Sequence, residues 1–116
     1  MKKQLLEFLT KDSYLFWDVP INQLSNLSLE FIVARVIDWG DLDHIKKLIK
    51  IIGEEQFKKA FLNSLIDSQG KVRDRILIND YKMINFLAHV FDLTDEIPLW
   101  DIISKAKKTS TFHLSL

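Results

Sequence analysis

Cysteine is absent from this chain of 116 residues, and it holds only three glycines and two prolines. Without cysteine there are no disulfides, no thiolate nucleophile and no cysteine-based zinc site. So few turn-forming residues argue against a β-sandwich and favour helices with short connections. We therefore expect an all-α fold, a compact array of about five to six short helices. We assign residues 1–108 to a single helical domain and residues 109–116 to a C-terminal tail.

An excess of either charge sign is also missing, because the 16 basic and 16 acidic residues give a formal net charge of +0. Dedicated nucleic-acid-binding proteins usually carry a basic excess, so this balance argues against that class. Glu7 and Thr10 interrupt the apolar run near the N-terminus, and no stretch reaches the roughly 18–20 apolar residues of a membrane span. We expect a cytoplasmic protein with no membrane segment.

The stretch from Ser28 to Gly53 organises the predicted fold as two helices joined by a Trp39-Gly40-Asp41 corner. Ser28 is a suitable N-cap for the first helix, and Asp41 for the second. Gly40 is expected to end the first helix in the left-handed conformation. The first helix should be central and largely buried through one broad apolar face, made of Leu29, Ile32, Val33, Val36, Ile37 and Trp39.

Helical spacing predicts further helices on both sides of this stretch. Their expected bounds are Lys2–Thr10, a short helix through Asn22 and Leu24, Glu54–Leu65, Asn79 (as N-cap) to Asp92, and Pro98 to residue 108. Residues 66–79 are expected to be irregular. In the helix after Asn79, a second apolar strip of Met83, Phe86 and Val90 predicts that the helix is packed on two sides.

The window Ser13–Pro20 is the most aromatic part of the chain. Val19 precedes a proline and should be extended, so we predict an extended segment. Its rings either pack across the helices or form a patch that meets a partner. Trp100 lies beside the apolar stripe of its helix, as interface tryptophans often do. The candidate partner-binding residues are Tyr14, Trp17 and Trp100.

Motifs for catalysis are missing as well. Asp41 and Asp43 form a D-x-D pattern with His44 behind it, but their position at a helix start is explained by capping, so we predict no metal site. His44 and His89 fall on polar helix faces and do not form an H-E-x-x-H motif. There is no G-x-S-x-G motif and no glycine-rich phosphate loop. We expect no catalytic residues and no cofactor.

The alternative function is a nucleic-acid-binding regulator. The corner at Gly40 could belong to a helix-turn-helix, although Asp41 and Asp43 would bring negative charge towards the phosphates. Lys71, Arg73 and Arg75 form a possible basic patch in the irregular segment. Solvated charge is the more common explanation of such a cluster.

Several short motifs carry a resemblance to a known family. They are Leu15-Phe16-Trp17-Asp18-Val19, Ile32 with Arg35-Val36, Gly40-Asp41-Leu42, the helix at Gly53, and Asn85-Phe86. Together they resemble a family of small, uncharacterised bacterial helical proteins, often encoded beside AbiEii-type nucleotidyltransferase toxins and described as antitoxin-like. The resemblance covers about Tyr14 to Leu93. It implies a non-catalytic protein that binds a protein partner, for example a toxin, without indicating an oligomeric state.

Overall fold

The computed structural model describes residues 2–114 and the side chains of residues 2–107, and all named secondary-structure elements in this range are helices. The α-helices are α1 (Lys3–Lys11), α2 (Leu29–Trp39), α3 (Leu42–Ile52), α4 (Glu54–Leu65), α5 (Tyr81–Val90) and α6 (Leu99–Leu114). Two 3₁₀-helices, Ser13–Phe16 and Ile21–Asn26, lie between α1 and α2. Within the described residues, β-pairing is limited to one isolated bridge between Ile66 and Val72. The all-α prediction is confirmed.

The chain divides into two compact units, the first ending at Phe61 and the second beginning at Leu62. In the first unit, α3 packs against α1 and α2, and the first 3₁₀-helix packs against both α1 and α2. In the second unit, α5 packs against α6. The prediction of a single domain over residues 1–108 stays a prediction. In the described part of the chain, no helix combines the length and the apolar character needed to cross a membrane.

Helix α2 buries most of the apolar face that its sequence predicted, and its central position stays a prediction. Ser28 caps it, since the Ser28 Oγ accepts a hydrogen bond from the Phe31 amide at 3.1 Å. Five of its side chains are buried: Ile32, Val33, Ala34, Val36 and Ile37. Trp39, predicted on the buried face, is instead 62% exposed. It is the last residue of α2, so its ring projects past the packed part of the helix.

The glycine at the corner between α2 and α3 is needed for a different reason from the one predicted. Gly40 has φ −88° and ψ −177°, which is extended and not left-handed. A Cβ at this position would lie 2.7 Å from the Val36 carbonyl oxygen, so the requirement is one of space. Gly53, at the next corner, does adopt a positive φ of 90°.

Helix α5 departs from its prediction in two respects. Its N-cap is Asp80 and not Asn79, because Asp80 Oδ1 accepts a hydrogen bond from the Met83 amide at 3.1 Å. Phe86 and Val90 are both exposed, so the prediction that this helix is packed on two sides is wrong.

The segment between α4 and α5 folds back on the end of α4. The Arg73 amide donates to the Leu65 carbonyl oxygen, and the Leu77 amide donates to that of Ser64. The helical backbone of α6 continues to Leu114, into the region predicted as a tail, while residues 115 and 116 lie outside the described residues.

Candidate functional site

The aromatic window forms a 3₁₀-helix where the sequence predicted an extended segment. The Leu15 amide donates to the Asp12 carbonyl oxygen at 3.0 Å, and the Val19 amide donates to that of Phe16 at 2.9 Å. Leu15 and Phe16 are both buried. In an extended chain adjacent side chains point to opposite faces, so a tight helical turn allows both to be buried in one core.

Arg35 of α2 fixes this turn from the helix beneath it. Its two terminal nitrogens reach both carboxylate oxygens of Asp18, with Nη1–Oδ1 at 2.5 Å and Nη2–Oδ2 at 3.0 Å. Nη1 also donates to the Leu15 carbonyl oxygen at 3.2 Å. The guanidinium carbon lies 4.8 Å from the centre of the Phe31 ring. A planar, five-donor guanidinium suits this combination of paired hydrogen bonds and ring contact.

The charge pairing also affects the ionisation of Asp18. The hydrogen bonds from Arg35 hold the pKa of the Asp18 carboxyl below its ordinary value, against a smaller opposing effect of desolvation. Asp18 therefore stays ionised, and keeps its charge contact with Arg35, to a lower pH than an ordinary aspartate.

His44 connects three elements of the first unit. Asp41 and His44 form a capping box at the start of α3: Asp41 Oδ1 accepts from the His44 amide at 3.0 Å, and His44 Nδ1 faces the Asp41 amide at 3.1 Å. On its other side, His44 Nε2 lies 2.9 Å from the Tyr14 hydroxyl oxygen and 3.6 Å from Asp12 Oδ1. The imidazole thus joins the end of α1, the first 3₁₀-helix and α3.

The imidazole has two proton arrangements with good partners in this position. With the proton on Nε2, Nδ1 accepts from the Asp41 amide and Nε2 donates to the Tyr14 hydroxyl oxygen. With the proton on Nδ1 instead, Nδ1 donates to Asp41 Oδ1, which lies 2.8 Å away, and Nε2 accepts from the Tyr14 hydroxyl. The hydrogen bond from the His44 amide lowers the pKa of the Asp41 carboxyl, against a smaller opposing effect of desolvation.

Three exposed rings of the first unit lie on or near the elements that these contacts join. Tyr14 is 62% exposed and Trp17 is 70% exposed, and three residues apart near a 3₁₀-helix they lie on the same side. Trp39 follows Arg35 by one helical turn, so it lies on the side of α2 that contacts the Leu15–Asp18 turn. We call Tyr14, Trp17 and Trp39 the aromatic surface.

Two members of the aromatic surface, Tyr14 and Trp17, were candidates from the sequence, and Trp39 was missed. Trp39 fits the apolar spacing of α2, and only its position directly before a glycine hints that it lies at the helix end. The two residues that hold the turn, Arg35 and His44, were also missed as site residues. Arg35 lies 17 residues from Asp18 in the chain, and His44 lies 30 residues from Tyr14, so no local pattern connects either pair.

Trp100, the third aromatic candidate, belongs to the second unit. It is 79% exposed and lines a surface groove of about 510 Å³, a volume in the range of small binding sites. The other residues that line the groove are Tyr81, Lys82, Asn85, Leu99 and Ile103. The groove runs between α5 and α6.

The possible basic patch is partly used for structure. Arg73 Nε donates to the Asn63 carbonyl oxygen at 2.5 Å, and the Lys105 ammonium donates to the Arg73 carbonyl oxygen. Lys71 and Arg75 are exposed. Arg73 therefore holds the folded-back segment on α4, which leaves two cations of the three on the surface.

The Asp41-Asp43-His44 pattern is not arranged as a ligand set. Asp41 and His44 are bonded to each other's backbone amides in the capping box. Throughout the described residues, no group of three or more histidine and acidic side chains is placed to hold a metal ion.

The comparison with protein families concerns the part of the chain that carries the aromatic surface. Residues 12–61 match a family of unknown function (DUF6922). The match covers less than half of the chain and includes the Asp18–Arg35 pair, the capping box and all three exposed rings. No curated protein and no solved structure matches the chain. The DUF6922 description states no activity, so the antitoxin-like role stays a prediction.

Proposed function

We propose that this protein is a non-catalytic, cytoplasmic protein-binding module that contacts its partner through the aromatic surface. The observation that carries the proposal is that Tyr14, Trp17 and Trp39 are exposed, while Arg35 holds the Leu15–Asp18 turn and His44 contacts the Tyr14 hydroxyl. Tryptophan and tyrosine are enriched at the centres of protein interfaces. A surface that is already held in place loses less conformational entropy on binding.

The chemistry of the aromatic surface also describes its partner. The indole N–H groups of Trp17 and Trp39 have no hydrogen-bond partner among the described residues, so both are available as donors. The partner should offer apolar pockets for the rings and oxygen acceptors beside them. The family resemblance adds the proposal that the partner is a toxin and that binding restrains it.

The test compares partner capture by matched variants. Tagged wild-type protein is expressed in its source cells, captured proteins are quantified by mass spectrometry, and each candidate is then titrated against the chain as a purified protein. We expect one protein to bind the wild type and to lose about tenfold or more in affinity with Trp17→Ala. Phe86→Ala, which removes an exposed aromatic ring from the other unit, should leave that affinity unchanged.

Two results would overturn this proposal. One is a purified partner whose affinity is the same for wild type and for Trp17→Ala, Tyr14→Phe and Trp39→Ala. The other is salt-sensitive binding of DNA or RNA, measured by fluorescence anisotropy, in place of a protein partner.

To test the toxin proposal, the partner is expressed with and without the chain. Growth inhibition that the wild type relieves and Trp17→Ala does not relieve is the expected outcome, and an equal effect of both would contradict it.

A further inference from the structure

The groove between α5 and α6 combines aromatic walls with a cation. Tyr81, Leu99, Trp100 and Ile103 supply apolar surface, while Lys82 and Asn85 supply polar groups. Its volume of about 510 Å³ is in the range of sites that bind a few side chains or a small molecule. Because Trp100 is 79% exposed, most of its ring is available to a ligand.

A second ammonium group borders the same groove. Lys107 follows Trp100 by seven residues, which places both on one side of α6. Its Nζ lies 5.8 Å from the centre of the Tyr81 ring. Lys82 and Lys107 therefore place positive charge beside the aromatic walls, and no carboxylate is among the residues that line the groove. Asp101 follows Trp100 in the chain but is not part of the lining.

We infer that this groove binds an acidic amphipathic peptide segment of a protein partner, with an apolar side chain against Trp100 and carboxylates beside Lys82 and Lys107. The inference rests on the proposed protein-binding function and adds a second contact with a stated chemistry. Charge complementarity selects the occupant, because the lining offers Lys82 and aromatic rings without acidic groups, and Lys107 adds a second cation beside Tyr81.

A single-stranded nucleic acid would also use aromatic rings and cations. It fits the second unit less well, because seven basic residues are balanced there by seven acidic ones. Asp80 and Asp101 directly neighbour the lining residues Tyr81 and Trp100 in the chain, and carboxylates close to the groove would repel a phosphate backbone. A peptide carries its charge on a few side chains and can avoid these carboxylates.

The experiment selects peptides without assuming their sequence. A library of random short peptides displayed on phage is selected on the immobilised full chain, and enriched peptides are synthesised with a fluorescent label. Their affinities are measured by anisotropy for the wild type and for Trp100→Ala, Lys82→Glu, Lys71→Glu and Trp17→Ala. All four substitutions are at exposed positions, and circular dichroism checks that each variant is folded.

Enriched peptides are expected to combine an aromatic or leucine anchor with acidic residues. Trp100→Ala should weaken them about tenfold or more, and Lys82→Glu should weaken them similarly. Lys71→Glu, a matched charge reversal outside the groove, and Trp17→Ala should have little effect. Raising the salt concentration should reduce the affinity for the wild type more than for Lys82→Glu.

The inference is overturned if no peptide is enriched, if the enriched peptides lack acidic residues, or if their binding is insensitive to Trp100→Ala and Lys82→Glu. It is also overturned if a labelled single-stranded oligonucleotide, and no peptide, binds with a dependence on Trp100. Peptides that depend on Trp17 and not on Trp100 would support the aromatic surface while rejecting the groove. Peptides that depend on Trp100 and not on Trp17 would support the groove and leave the aromatic surface to its own test. The two proposals can therefore fail separately.

Discussion

Tyr14 and His44, thirty residues apart in the chain, are joined by a hydrogen bond of 2.9 Å between the tyrosine hydroxyl and the imidazole Nε2. The same imidazole completes the capping box of α3. One side chain therefore stabilises the start of a helix and positions a ring of the aromatic surface, which links the stability of the first unit to its proposed binding function.

Substitution of His44 by alanine should affect both of these roles. We expect a loss of about 1–2 kcal/mol in the free energy of unfolding, because the side chain's hydrogen bonds to Asp41 and Tyr14 are removed. Tyr14→Phe removes only the second contact and should have the smaller effect. Chemical denaturation followed by circular dichroism measures both. Equal stability of wild type and His44→Ala would show that the imidazole contacts contribute nothing to folding.

Arg35 should tolerate neither a neutral nor a conservative replacement. Arg35→Leu leaves Asp18 and the Leu15 carbonyl oxygen without their donor, so we expect a clear fall in melting temperature. Arg35→Lys keeps the charge but not the planar fork, and should restore only part of the stability. Arg75→Lys, an exchange at an exposed arginine, is the control and should leave the melting temperature unchanged. Full restoration by Arg35→Lys would contradict the importance of the paired hydrogen bonds.

Acid should weaken the first unit through Asp18 and Asp41. Both have a folded-state pKa below the ordinary value, so the unfolded state binds more protons in acid and stability rises with pH across this range. Their contribution is complete above the unfolded-state pKa of about 3.9 and is lost as the pH falls through the folded-state values. Melting temperature measured against pH should fall less steeply in acid for Asp18→Asn than for wild type. Asp43→Asn removes an exposed carboxylate as a control, and its curve of melting temperature against pH should follow that of the wild type. Identical curves for Asp18→Asn and wild type would contradict the prediction.

A charge in the core of α2 should unfold the protein. Val36 is fully buried, so Val36→Asp would bury an unpaired carboxylate at a cost of several kcal/mol. Val90→Asp makes the same change at a helical valine that is 57% exposed, and should leave most of the stability. Circular dichroism melting curves compare the two variants. A cooperative transition of Val36→Asp at the wild-type temperature would show that α2 is not the central helix.

The two glycine corners should respond to alanine for different reasons. Gly40→Ala places a Cβ within 2.7 Å of the Val36 carbonyl oxygen, so the corner must open and stability should fall. At Gly53 there is space for a Cβ, but φ is 90° and ψ is 151°, a region that costs other residues on the order of 1–3 kcal/mol. Urea denaturation of both variants measures these losses. An unchanged stability of Gly40→Ala would mean that the corner has more room than its geometry indicates.

Local chemistry in the sequence accounts for the all-α class, most helix bounds and the caps at Ser28 and Asp41. Apolar spacing and capping act within one or two turns of a helix, so they can be read from neighbouring residues. The sequence also supplied Tyr14, Trp17 and Trp100, since large aromatic residues outside an apolar stripe are conspicuous without a structure.

Other features depended on the fold. What packs against each helix decides whether an apolar residue is buried, so only the structure shows that Trp39 and, in the second apolar strip of α5, Phe86 and Val90 are exposed. It also shows that Gly40 is required because there is no space for a Cβ. The contacts of Arg35 with Asp18 and of His44 with Tyr14 join residues distant in sequence, whose pairing leaves no periodic pattern. The sequence by itself thus determined where the helices form, because that depends on short-range interactions. Only the tertiary structure decided which rings are exposed and what holds them, because that depends on contacts between distant segments.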